Sequence, residues 1–423
     1  MKLAIAVVLL GLQEPPKKEE AKAPAAKPPV YTALVGGDVH TISRGVLRGA
    51  TVLLKDQKIH RVGQALDLPE GTITIDVTGK RVLPGFVAVQ AQGLALASGA
   101  GGKVSDSLDP FQEQVKIALA CGITSAFIEM GGSGGFFGGG TPSAGSNAVV
   151  KMSYGALEGM TLLEPAAHSL QTWVSGGAAD RHEIRQSFVK ARDLVERERD
   201  FERRRAENKL KPNEQPVRAA DPFARLLKGE LIARISAPDA DAIRRALELV
   251  NEFRFRCVLM DVVEGWTLPD EIGRARAYVV VTVRNKQHAD RRMARPSGSS
   301  IEQAAILRKA GVKFAISPIT PAVTTGGIAG RDLTGLPIEA AFAVRGGLDE
   351  AAALEAITLT AAEICGVDAR VGSIEEGKDA DLVVLDGDPL DYRTFVDLTF
   401  VNGKLLYEKS KSSYFNHLKG KGR

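Results

Sequence analysis

Residues 231–263, LIARISAPDADAIRRALELVNEFRFRCVLMDVV, fall into three parts. LIARIS and RCVLMDVV are short apolar runs, the form of strands buried on both faces. Between them, DADAIRRALELVNEF mixes apolar and charged residues at helical spacing and predicts an amphipathic helix. Strand, helix, strand is the repeating unit of a parallel α/β architecture.

The same alternation runs outward on both sides. TSAFIEM (124–130), YVVVTV (278–283) and KFAIS (313–317) read as further buried strands, and SIEQAAILRKAG (300–311) as a further helix. Over residues 85–368 this predicts a (β/α)8 TIM-like barrel, the commonest closed form of such a chain. Two segments interrupt it. The Gly-rich stretch 131–146, GGSGGFFGGGTPSAGS, matches neither phosphate-binding glycine pattern, so nucleotide binding is not expected. Following a strand at the barrel's C-terminal face, it is expected as a lid or subunit contact. Residues 180–228 hold a charged insertion including RDLVERERDFERRRAENK, whose opposite charges three and four apart predict a solvated helix held by its own ion pairs.

Outside the barrel the period changes. From Tyr31 to Leu83 short β-rich runs alternate with turn signals, and a similar set returns from Gly372 to Tyr407. Residues 30–84 plus 369–410 are therefore expected to pair as one small composite β-sandwich that brackets the barrel. At the N-terminus, Lys2 and the apolar run LAIAVVLLGL (3–12) have the form of a signal peptide over residues 1–13, which predicts export to the periplasm or beyond. Residues 14–29 read as a Pro/Ala/Lys/Glu linker, and residues 411–423 as a basic tail. No membrane span is expected in the mature chain.

With 55 Lys and Arg against 51 Asp and Glu, the net charge of +4 gives no field that argues for nucleic acid. Cys121, Cys257 and Cys365 are an odd, widely spaced set, read as buried small hydrophobes. None of the six histidines, His40, His60, His168, His182, His288 and His417, has metal-ligand spacing to another.

Several stretches together resemble the amidohydrolase superfamily, in its imidazolonepropionase-like branch: GGDVHTIS, VTGKRVLPGFVAVQAQG, GITSAFIEMGG, and above all GSIEEGKDADLVVLDGDPLD followed by VNGKLLYE. The resemblance covers nearly the whole folded chain and implies a barrel wrapped by a composite sandwich. It also implies a metal-dependent C–N hydrolase, normally with zinc or another divalent ion held by a His-x-His pair after the Pro-Gly turn. Here that turn is Leu83-Pro84-Gly85, and the pair is Gln90 and Gln92. The later ligand positions fall on Ser236, on Asp261 and near Ser317, Pro318 and Ile319.

A glutamine amide is a far weaker donor to zinc than imidazole, and without a metal the attacking water keeps a pKa of about 15 rather than about 7. The sequence thus predicts no cofactor, no family catalytic residues and a pseudoenzyme. A hard-cation site from the two amides, Asp261 and Glu129 falls short on carboxylates. Ser236, Ser317 and Cys257 lie near strand ends without a nucleophile elbow. Lys151, in AVVKMSYG, matches a lysine often seen in related members and reads either as a snorkelling lysine or as an anion holder. The expected ligand-binding group is Lys151, Glu129, Asp261, Gln90 and Gln92, taking a small polar ligand. The expected assembly is a homo-oligomer or a hetero-oligomer with an active relative. The rival expectation is an atypical hydrolase of peptide or non-peptide C–N bonds.

Overall fold

The computed structural model describes residues 29–97, 102–130, 147–211, 213–326 and 330–413. The expected signal peptide 1–13, residues 14–28 of the linker, the Gly-rich stretch 131–146 and residues 414–423 of the tail lie outside them.

The chain opens with five strands, β1 (Tyr31–His40), β2 (Val46–Lys55), β3 (Lys58–Gly63), β4 (Ile73–Asp76) and β5 (Arg81–Pro84). Next come β6 (Phe86–Ala91), β7 (Ile123–Glu129), β8 (Asn147–Lys151) and β9 (Thr161–Leu163). Five more follow, β10 (Ala167–Ser169), β11 (Ile232–Ser236), β12 (Cys257–Val262), β13 (Tyr278–Val281) and β14 (Phe314–Ile316). The chain then returns through β15 (Leu382–Leu385), β16 (Val396–Val401) and β17 (Lys404–Glu408). The helices are α1 (Glu113–Ala120), α2 (Gln171–Ser175), α3 (Ala178–Ala206), α4 (Pro222–Leu227), α5 (Ala240–Phe253), α6 (Pro269–Ala275), α7 (Gln303–Lys309), α8 (Leu336–Arg345), α9 (Glu350–Ala356) and α10 (Leu359–Cys365).

The two ends of the chain meet in one sheet. β15 pairs antiparallel with β5, Leu382 opposite Pro84 and Leu385 opposite Arg81. The order is β17-β16-β15-β5-β1-β2-β3, with β4 alongside β1. It is a single ladder with its own apolar core, including Leu34, Val52, Val82, Leu382, Val384 and Phe400.

Between these ends the stretch 231–263 folds as strand β11, helix α5 and strand β12. Asp239 caps α5 by accepting from the backbone N–H groups of Asp241 and Ala242, and Arg254 ends it in the left-handed conformation. Ile243, Ala246, Leu247 and Val250 bury its inner face.

The hydrogen-bonded ring expected of a closed barrel is not what the described strands form. β10 to β14 make a five-stranded parallel sheet, and β6 to β9 make a separate four-stranded sheet in which β6 and β7 run parallel and β8 and β9 antiparallel. The reason is local. The hairpin partner β8 occupies the free edge of β7, where β10 would otherwise pair. The Asn147 side chain then stands in for the missing ladder: its Nδ2 donates to Ala167 O at 3.0 Å, and its Oδ1 accepts from the N–H groups of Ala166 and Ala167 at 3.0 and 2.8 Å. Beyond β6, the backbone N–H of Val87 reaches Ile357 O at 2.9 Å, just ahead of α10. Both sheets nonetheless send side chains into one cluster: Val87, Val89, Phe127 and Val149 from one, Ile232, Val258, Met260, Val280 and Ala315 from the other.

The charged insertion is less solvated than its composition predicts. α3 does carry the expected pairs, Asp193 with Arg197 and Asp200 with Arg204. It also buries a stripe of Ile184, Phe188, Ala191, Val195 and Phe201. Phe188 stacks on Phe253 and Phe255 with ring centroids 4.7 and 4.9 Å apart. Among the described residues, no helix is long and apolar enough to cross a membrane.

Candidate functional site at the strand ends

The C-terminal ends of β6, β7, β11 and β12 carry Gln90 and Gln92, Glu129, Ser236 and Asp261. Gln90 and Glu129 are half-buried, and Gln92 is exposed. The backbone N–H of Gln92 donates to Pro321 O at 2.7 Å, tying the end of β6 to the loop after β14.

Asp261 owes its direction to a bulge. The pairing of β12 with β13 passes from Leu259 opposite Val279 to Val262 opposite Val281, so β12 carries one extra residue. Asp261 absorbs it at φ +57°, a left-handed conformation that aspartate tolerates better than most residues. Its carboxylate accepts from Ser236 Oγ at 2.7 Å, and the Ser236 N–H donates to Gln171 Oε1 at 2.9 Å. Ser236 and Asp261, drawn from separate motifs in the sequence, are thus one hydrogen-bonded pair.

Ile319 stands apart from them. It is 51% exposed and lines a cavity of about 540 Å³ past β13 and β14, shared with Arg284, Lys286, Arg331 and Glu339. Another cavity, of about 900 Å³, is mostly apolar and takes from the inner strands only Phe86, the first residue of β6. It lies toward the opposite end of that strand from Gln90.

Lys151 is placed elsewhere again, which corrects its expected membership of the ligand-binding group. Its side chain is fully buried, and Nζ donates to Asp379 Oδ2 at 2.7 Å, Asp381 Oδ1 at 3.0 Å and Asn402 Oδ1 at 2.5 Å. An ammonium has three protons, and these three acceptors use them. Asp379 also holds Lys58 and Arg370, at 2.5 and 2.7 Å. Lys151 is therefore the pin between β8 and the composite sheet.

The residue that sequence reading missed is Arg234, in the middle of β11. Alternation along the strand puts Ile232, Arg234 and Ser236 on one face, and Ile232 belongs to the shared interior. Arg234 is 6% exposed; its Nη2 donates to Val89 O on β6 at 3.1 Å, and its guanidinium lies 4.0 Å from the centre of the Phe127 ring on β7. It thus braces the five-stranded sheet against the four-stranded one. Nη1 is buried with no hydrogen-bond partner among the described residues. Burial lowers the guanidinium's pKa, while Cys365, Glu129 and Asp261 act to raise it. The signal was present in LIARIS: one permanent cation in an otherwise apolar strand.

The histidines of the described residues do not gather here. His168 packs edge-on against Phe223 at 5.4 Å, and burial lowers its pKa. His60 packs against Tyr31 at 5.9 Å. Among the described residues, no three His, Cys, Asp or Glu side chains are grouped to hold a metal ion. The strand-end donors are two amides, a hydroxyl and two carboxylates, with a guanidinium on the same face of β11. That set does not fit a zinc-type ion, which prefers imidazole or thiolate and is repelled by a neighbouring fixed cation.

The sequence model of the amidohydrolase family matches residues 259–406. The amidohydrolase tasK of Hapsidospora irregularis is 23% identical over 385 residues, covering 79% of this chain; the chain spans only 37% of that protein's length. Among solved structures, an amidohydrolase from Thermotoga maritima superposes with a TM-score of 0.66 at 24% identity, covering 89% of this chain and all of that one. Phenylurea hydrolase B gives 0.54 at 15% identity, covering 90% and 97%. A prolidase complexed with N-methylphosphonate-L-proline gives 0.52 at 19%, covering 90% and 100%. These likenesses share the fold over about nine-tenths of the chain, and the amidohydrolase family model matches its residues 259–406.

Proposed function

We propose that this protein is an exported, metal-independent member of the superfamily whose strand-end site binds a small polar ligand. The observation that carries the reading is Arg234. A buried guanidinium lies on the same face as Ser236, beneath strand-end positions where the family resemblance calls for metal ligands and where Gln90, Gln92, Ser236 and Asp261 stand; Ile319, the remaining position, lies apart. Binding at strand ends agrees with where ligands sit in parallel α/β proteins. We read the two sheets accordingly, as an opened (β/α)8 barrel with seven parallel strands and the Ile357 segment in the eighth place. Between ligand binding and service as a subunit for an active relative, the buried guanidinium nitrogen without a partner among the described residues favours binding. The run of apolar residues after Lys2 supports export.

The test is elemental analysis of the purified chain after incubation with zinc, manganese, calcium and magnesium and then desalting. Near-zero stoichiometry for every metal is expected. About one ion per chain, lost in Asp261→Ala, would overturn the reading.

One observation favours a second reading, an atypical C–N hydrolase. The Ser236 hydroxyl donates to the Asp261 carboxylate, which is the contact a nucleophile makes with its base. A fluorophosphonate probe that labels the wild type but not Ser236→Ala would support this reading, and absence of labelling would remove it.

A further inference from the structure

The charges at the strand ends go further, on the reading that a small polar ligand binds there. We propose that the ligand is a small zwitterion, carrying one carboxylate and one ammonium, of which an α-amino acid is the simplest form.

Three charges lie at this place, none of them in an ion pair within 4 Å among the described residues, although Glu129 and Asp261 act on Arg234 from further off. Arg234 Nη1 is buried and has no hydrogen-bond partner among the described residues. Neither Glu129 nor Asp261 has a cationic partner within 4 Å among the described residues; the side-chain partner of Asp261 is the neutral Ser236 hydroxyl. A folded chain does not ordinarily retain a buried cation with a vacant donor unless something compensates it.

The three charges differ in depth. Arg234 and Ser236 are two residues apart on β11, about 6 to 7 Å along the strand. The cation therefore belongs to the inner layer, and Glu129 with the Ser236–Asp261 pair to the outer one. A ligand entering from the strand ends meets the carboxylates first and the guanidinium beyond them. A simple anion is repelled by the outer layer, and a simple cation by the inner one. A molecule carrying both groups satisfies both, with its carboxylate against the flat guanidinium fork and its compact ammonium between the two carboxylates. Phe127, already stacked on Arg234, holds the fork in a fixed plane.

Calorimetric titration of the full chain tests this with glycine, L-alanine and L-serine as zwitterions, acetate and ethylammonium as single charges, and acetamide as a neutral probe. At least one amino acid should bind with a sub-millimolar Kd, about tenfold or more tighter than acetate or ethylammonium. Arg234→Met should abolish that binding while circular dichroism remains that of the wild type. Glu129→Gln and Asp261→Asn, at the solvent side of the site, should weaken the amino acid yet leave acetate bound equally or more tightly, a reversal that mere loss of structure would not produce. Acetamide binding as tightly as the amino acids would sink the zwitterion and leave the polar-ligand reading standing. A folded chain that binds no probe would count against both.

Discussion

Replacing Lys151 by methionine keeps the length and apolar stem of the side chain and removes only its charge and donors. The cost follows from what remains. Asp379 keeps Lys58 and Arg370, so it stays compensated. Among the described residues Asp381 keeps a single backbone N–H, from Asn402 at 2.8 Å, and its Oδ2 is already buried without a partner. Methionine at 151 therefore leaves Asp381 as a buried, nearly naked carboxylate, the situation that costs about 3 to 5 kcal/mol when one partner of a buried pair is removed. Adding Asp381→Asn discharges that carboxylate, so the double variant should recover all but about 1 to 2 kcal/mol. The penalty should also depend on pH in a definite sense. Burial already raises the Asp381 pKa above its ordinary 3.8. Loss of Lys151 raises it further, so the folded state binds more protons than the unfolded one, and stability falls as pH rises above the unfolded value. Equilibrium urea unfolding, followed by circular dichroism at pH 5 and pH 8, should show the larger loss at pH 8. A single variant within about 1 kcal/mol of wild type, or a double variant no better than the single, would refute the pin.

Other parts of the fold can be tested as simply. Asn147→Ala strips three hydrogen bonds from the seam between the two sheets and orphans backbone groups of Ala166 and Ala167; urea unfolding should show a loss of about 2 to 4 kcal/mol. Phe188→Ala empties a fully buried site between three aromatic rings and should cost about 3 to 5 kcal/mol by the same measurement, whereas a solvated α3 would lose almost nothing. Gly85→Ala puts a Cβ 2.1 Å from Thr124 Oγ1, where β6 and β7 begin; a thermal melt should show a destabilisation of about 1 to 3 kcal/mol.

How much of this was legible depends on range. The strand, helix and strand of 231–263 are set by local periodicity and a capping aspartate, and they fold as read. The pairing of the two chain ends was also legible, because each end carries strands with no helix to cover them. The missing ring closure was not. It turns on one side chain, Asn147, and on an antiparallel turn-back at β8 that no period announces. For α3 the signal existed: Ile184, Phe188, Ala191 and Val195 recur four, three and four residues apart, but the density of charge drew attention to the opposite face. Lys151 was legible as a special lysine and misplaced in function, because its partners Asp379, Asp381 and Asn402 lie more than 200 residues away.

Arg234 was the least legible, since nothing local tells whether a strand arginine faces water or the interior. Its position also bears on metal binding at the strand ends. Charges of +2 and +1 about 6 Å apart, at an effective dielectric constant of about 20, repel by about 5 to 6 kcal/mol. A metal at the strand ends and a guanidinium in the interior beneath them therefore oppose one another. Restoring both imidazoles with Gln90→His and Gln92→His should consequently give only weak zinc uptake. Adding Arg234→Met to the pair should tighten zinc binding by about a thousandfold or more, as about 1.4 kcal/mol corresponds to each factor of ten. Competition titration against a chelating dye measures the difference directly. Equal affinity of the double and triple variants would mean that the guanidinium is too well screened to oppose a metal, and with it would go the argument that this buried charge weighs against metal binding at the strand ends.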